Sequence, residues 1–96
     1  MVTFKKTPAE NLDYVFDFSN ELAAGETLVS HSATFYDSGD GALSIVSESL
    51  VSDSLTITVS GGTVNDTYIL SVTATSSAGR IYERGVGFRI VDVSDR

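Results

Sequence analysis

The chain has no cysteine and no tryptophan, and only one histidine, one proline and one methionine. Without cysteine there is no disulfide staple, no thiolate zinc or iron–sulfur site and no thiol nucleophile. A single histidine cannot supply the histidine cluster of a transition-metal site. No run approaches the ~20 apolar residues of a membrane span, and the opening residues lack the apolar stretch of a signal peptide. Cations are scarce as well. Six Lys and Arg stand against thirteen Asp and Glu, giving a net charge of −7 that repels nucleic acid and anionic membranes alike. No cofactor, metal, nucleic-acid or membrane partner is therefore expected.

What is present is one domain's worth of chain: 96 residues, 42% hydrophobic and 20% charged, enough for one core but not for a deep cleft. The charge is unevenly placed. Lys5 and Lys6 are the only basic residues before Arg80, and ten carboxylates with no cation lie between Thr7 and Gly79. Arg80, Arg84, Arg89 and Arg96 then sit beside Glu83, Asp92 and Asp95. Such a layout solubilises a surface, and it also suits an assembly in which one subunit's arginines meet a neighbour's acidic face.

Fourteen serines, ten threonines, eleven valines and five isoleucines make an all-β composition. Period-two alternation then places the strands. Leu12, Tyr14, Phe16 and Phe18 share one face of the first of them. Over residues 27–36, Val29, His31, Ala33 and Phe35 are expected inward, with His31 at the rim. After a turn at 37–41, Leu43, Ile45 and Ser47 alternate with Ser44, Val46 and Glu48. Leu55, Ile57 and Val59 give the cleanest alternation in the chain. Tyr68, Leu70, Val72 and Ala74 follow, and Val86, Phe88 and Ile90 line the last strand, expected over 80–93. Gly85 and Gly87 fall on its other face, where they permit a bulge or a close backbone approach. The segment 20–25 is a single helical turn whose Leu22 plugs one end of the core.

Six to seven short strands at this spacing define a two-sheet β-sandwich, immunoglobulin-like or fibronectin type III-like. A Gly- and Thr-rich corner followed by Tyr68, two residues before Leu70, matches the tyrosine corner of those domains, in which the phenol hydroxyl bonds back to the corner backbone. Residues 12–96 are expected to form this domain. Residues 1–11 show no alternation and contain Pro8, and are expected as an extended N-terminal arm, free or docked on a neighbour.

The chemistry-bearing patterns are missing. There is no Gly-x-Ser-x-Gly elbow around any of the serines. Asp13 and Asp17 share a strand face but lie roughly 13 Å apart along it, beyond the spacing of a glycosidase carboxylate pair. The 37–41 turn puts Asp37 and Asp40 together. As a calcium loop it would place Asp37, Gly39 and Gly41 at the first three ligand positions and Glu48 at the last, so two of three side-chain ligands are absent. Ordinary turn chemistry explains it. No phosphate-binding glycine motif occurs either.

Two stretches carry a resemblance. Lys5-Lys6-Thr7-Pro8, the run from Leu12 to Ser19, Leu22 and Gly25-Glu26-Thr27-Leu28 form the first. Val59-Ser60-Gly61-Gly62-Thr63, Tyr68, Val72, Ala78-Gly79-Arg80, Glu83-Arg84 and Phe88-Arg89-Ile90 form the second. In order and spacing they resemble the short bacteriophage proteins called fibre–tail adaptors. Phe18 stands where those relatives commonly carry Trp, and residues 38–53 lie outside the resemblance.

The resemblance implies a non-enzymatic virion structural protein that links tail or neck to receptor-binding fibres. It implies assembly in the host cytoplasm, with other virion proteins as partners and repeated copies in a symmetric arrangement. The candidate interface residues are Phe4, Lys5, Lys6, Arg80, Tyr82 and Arg84. The competing reading is a fibronectin-like module of a surface adhesin or a carbohydrate-binding sandwich. Such a module exposes aromatic platforms, and only Tyr36 and Tyr82 are candidates for one.

Overall fold

A computed structural model describes residues 2–37 and 39–96. Met1 of the expected arm and Ser38 of the expected turn lie outside the described residues. Among the described residues seven strands are present: β1 (Val2–Lys6), β2 (Asn11–Asp17), β3 (Leu28–Asp37), β4 (Leu43–Val51), β5 (Ser54–Gly61), β6 (Thr67–Ser76) and β7 (Ile81–Ile90). A single 3-10 turn, Val93–Asp95, follows them. One sheet has the order β1-β7-β6-β3 and the other β2-β5-β4.

An immunoglobulin constant-type sandwich pairs its third, sixth and seventh strands in one sheet and its second, fifth and fourth in the other. Strands β2–β7 follow that scheme. The departure is β1, which does not join β2 but lies parallel to β7, with Val2 opposite Val86, Phe4 opposite Phe88 and Lys6 opposite Ile90. Five of the eleven residues read from sequence as an arm thus form a strand of this chain's own sheet. Its parity with β7 turns Phe4 and Lys6 inward, and Lys6 is fully buried.

The core forms where the alternation is strictest. Leu55, Ile57 and Val59 of β5, Tyr68, Leu70, Val72 and Ala74 of β6, and Val86, Phe88 and Ile90 of β7 are all buried in one cluster. These strands sit inside their sheets, so a neighbour on each side covers every inward side chain. On the edge strand β2 the same alternation leaves Leu12, Tyr14 and Phe16 only half-buried. Phe18 lies one residue beyond β2 and is fully buried, its N–H bonded to the Asp53 carbonyl at 2.9 Å. In the turn that follows, Leu22 packs against the core as expected, its N–H reaching the Phe18 carbonyl at 3.2 Å.

Two strands depart from simple alternation. In β3 the register shifts between Leu28 and Ser30, so Leu28 is buried and Val29 is exposed, the reverse of the expected parity for both. In β4 it shifts between Ile45 and Ser47. One extra residue in each strand flips everything beyond it to the other face. Hence Glu48, rather than Ser47, faces across the seam to the other sheet, where it meets His31 at 3.0 Å.

Glycine is required where backbones crowd. Gly61 has φ +84°, and a Cβ there would lie 2.5 Å from the Ala42 carbonyl oxygen. At Gly87, where a bulge or a close backbone approach was expected, it is a side chain that comes near: a Cβ would lie 2.9 Å from the Thr3 hydroxyl of β1.

Candidate interaction surface

The candidate interface residues fall into two groups at opposite ends of β7. Its register places Lys5 beside Arg89, about 30 Å along the strand from Arg80 at ~3.3 Å per residue.

At the β1 end, Phe4 is 38% exposed and completes a cluster in which its ring lies 4.8 Å from Tyr14 and 6.3 Å from Phe88, with Tyr14 4.8 Å from Phe88. Tilted and edge-on aromatic pairs at these separations are favourable beyond simple burial. Lys5 is exposed and points outward. Lys6 does not belong to any surface. Its ammonium donates to the carbonyls of Thr7 at 2.8 Å and Gly61 at 2.6 Å, and burial pushes its pKa below the usual lysine range, with nearby Glu10 opposing the shift. It ties β1 to the β5 corner from inside the sandwich.

At the other end, Arg80, Tyr82 and Arg84 hold the connection between β2 and β3. Arg80 Nη1 lies 3.5 Å from Glu26 Oε1, and the Glu26 carboxylate, itself well covered, also accepts from the Ser76 hydroxyl and the Ala23 N–H. That hydroxyl is the main reason the Glu26 carboxyl is held below its ordinary pKa. The Tyr82 hydroxyl donates to the Glu21 carbonyl at 3.3 Å, and its ring lies 6.1 Å from Phe18. Arg84 pairs with the Glu21 carboxylate and sets its guanidinium 5.0 Å from the Phe18 ring centroid. Much of what these three residues can offer a partner is therefore already used within the chain. Tyr82 in particular is not a free aromatic platform, whereas Tyr36 is 81% exposed.

Two residues outside that set prove informative. Arg89 faces outward on β7 directly beside Lys5 on β1. Its parity with Phe88 made the outward direction legible, but only the β1–β7 register brings Lys5 to it. Asp40 closes the tyrosine corner. Thr63 N–H donates to the Tyr68 hydroxyl at 3.2 Å, and that hydroxyl in turn donates to Asp40 Oδ1 at 2.5 Å. The expected bond to the corner backbone is present, with the phenol as its acceptor. Asp40 also accepts from the Thr63 hydroxyl and the Ala42 N–H. These bonds, led by the Thr63 hydroxyl and then Tyr68, lower its pKa to about 2.

Two open depressions on the described surface measure about 380 and 280 Å³. The larger lies beside Gly85, lined by Tyr36, Ile69, Ser71 and Glu83. Neither brings the single histidine to a serine, and among the described residues no group of three or more His, Asp or Glu is placed to hold a metal ion. A two-sheet sandwich whose turns, tyrosine corner and ion pairs shape its surface is an architecture of the binding and structural class.

The sequence specifies that class further. Residues 6–89 match the family model described as Podophage GP4 fiber-tail adaptor protein gp77. The match covers most of the chain, and the chain belongs to that family: it is a virion structural adaptor, non-enzymatic, of the tail–fibre junction. A comparison with curated proteins finds no match.

Proposed function

We propose that the chain bridges tail and fibre through the two ends of β7, with Phe4 and Lys5 making one contact and Arg80, positioned by Glu26, the other. Residues 12–96 together with β1 act as the rigid spacer between them, in repeated copies around the tail axis. The observation that carries this reading is the separation of the two groups along a molecule measuring 45 × 22 × 20 Å. Contacts at the two ends of a long body can be held by different partners without steric conflict. Repetition of one subunit in a closed symmetric arrangement is the common way a small protein covers a large junction.

The test is the composition of purified particles carrying Lys5→Glu or Arg80→Glu, read by quantitative mass spectrometry. One variant should fail to enter the particle, and the other should enter but leave it short of fibre. Normal adaptor and fibre content in both variants, or a single adaptor copy per particle, would contradict the proposal.

A further inference from the structure

We propose that the free edge of β1 accepts an extended segment of a virion partner as an added strand, and that this segment alternates acidic and apolar side chains. The inference rests on the adaptor reading above and names the chemistry of one of its contacts. Each sheet has two edges, and edges are where chains add strands. Three of the four carry outward carboxylates or a broken register. Strand β2 points Asp13 and Asp17 outward, β3 shifts register near both of its ends, and β4 shifts in its middle. Strand β1 carries no carboxylate and runs in unbroken register from Val2 to Lys6.

The edge also has its hydrogen-bonding groups free. In an extended strand the N–H and C=O of one residue point to the same side, and successive residues alternate. The Lys6 carbonyl accepts from Val91 N–H at 2.9 Å, so Lys6, Phe4 and Val2 bond towards β7. Thr3 and Lys5 then direct their N–H and C=O groups away from the sheet.

The side chains specify what would fit there. On the inner side Val2 is 62% and Phe4 38% exposed, so a neighbouring strand must bring apolar side chains to cover them and the Phe4–Tyr14 contact. On the outer side Lys5 and Arg89 stand side by side, like charges on adjacent strands, an arrangement that is unfavourable alone. Among the described residues the other cations are accounted for. Arg80, Arg84 and Arg96 each lie against a glutamate, and Lys6 is buried on carbonyls, whereas neither Lys5 nor Arg89 has a carboxylate within 4 Å. An Asp or Glu opposite Lys5 relieves that repulsion. A second copy of this chain fits poorly, because β1 paired antiparallel to itself about Phe4 sets Lys5 against Thr3 and leaves all four cations unmatched.

The experiment titrates the isotope-labelled protein with a seven-residue peptide alternating glutamate and valine, and separately with its lysine–valine counterpart, following backbone amides by NMR. The glutamate peptide should shift the Thr3 and Lys5 amides and slow their hydrogen exchange, while the lysine peptide should not bind. Lys5→Pro removes the outward N–H without breaking the ladder to β7 and should weaken binding at least ten-fold. Arg89→Glu, on the exposed face, should weaken the glutamate peptide and admit the lysine one. Equal response to both peptides, shifts confined to β3 or β4, or a dimer that Lys5→Pro dissolves would overturn the proposal. Particle composition in the variants above tests the bridging role separately, so failure of strand addition and failure of the bridging role are told apart.

Discussion

Tyr68 and Asp40 show how one side chain can secure a corner that the backbone cannot hold alone. The Tyr68 ring is buried between the sheets, and its hydroxyl joins the Thr63 N–H on one strand connection to the Asp40 carboxylate on another. Tyr68→Phe keeps the ring but leaves the Thr63 N–H unpartnered and removes a charge-assisted bond, so it should cost about 2 kcal/mol, read as a lower urea midpoint. Asp40 makes this part of the stability dependent on pH. Its folded-state pKa, about 2, lies below the ordinary value of 3.8. Its contribution is therefore complete above pH ~4 and is lost as pH falls towards 2. Asp40→Asn should flatten the acid limb of the stability curve in that window, and an unchanged acid limb would show that the network is not formed. Tyr68 was legible in the sequence because its spacing from the Gly-Thr corner and from Leu70 is a local signal. Asp40 was not, since it comes from a turn 28 residues earlier and nothing local distinguishes it from Asp37. Lys6 was hidden for the same reason: adjacent lysines look alike until the partner strand assigns one to each face.

Among the elements, the interior strands could be read closely and the edges could not. Strands β5, β6 and β7 are flanked on both sides, so their alternation maps directly onto burial. A bulge has no such signature. Val29 and Val46 are ordinary β-branched residues, yet each is the extra residue that turns the rest of its strand over. Strand β1 is the larger departure. Five residues with one inward phenylalanine give too little alternation to announce a strand, and its parallel partner lies some 80 residues away in sequence. Its removal has a clear consequence. Deleting residues 2–6 uncovers Phe88 and Ile90 and strips Lys6 from the Gly61 carbonyl. The truncated protein should melt well below the full chain, by at least 10 °C, on the scale of a few kcal/mol for uncovering one flank of the core in a domain of this size. An unchanged melting temperature would return this segment to the status of a detachable arm.

At the scale of the whole molecule, no enclosed chemistry is needed to account for what the chain does. Composition already excluded disulfides, thiolate metal sites and histidine clusters, and alternation gave the two-sheet fold. What required three dimensions was the distribution of charge. The arginines near the C-terminal strand do not form a free basic patch, because Glu21, Glu26 and Glu10 occupy three of them. Among the described residues the cations without a carboxylate beside them are a different pair, Lys5 and Arg89, drawn from opposite ends of the sequence by the β1–β7 register. The molecule that results is about 45 Å long, with the two candidate groups at opposite ends of β7, and the proposed bridge uses that length. Cryo-electron density of the virion at the tail–fibre junction tests this most directly. The account predicts the four-plus-three sandwich there with its β1 end on one protein and its Arg80 end on the other. A sandwich that touches both partners through one end, or only one partner at all, would contradict it.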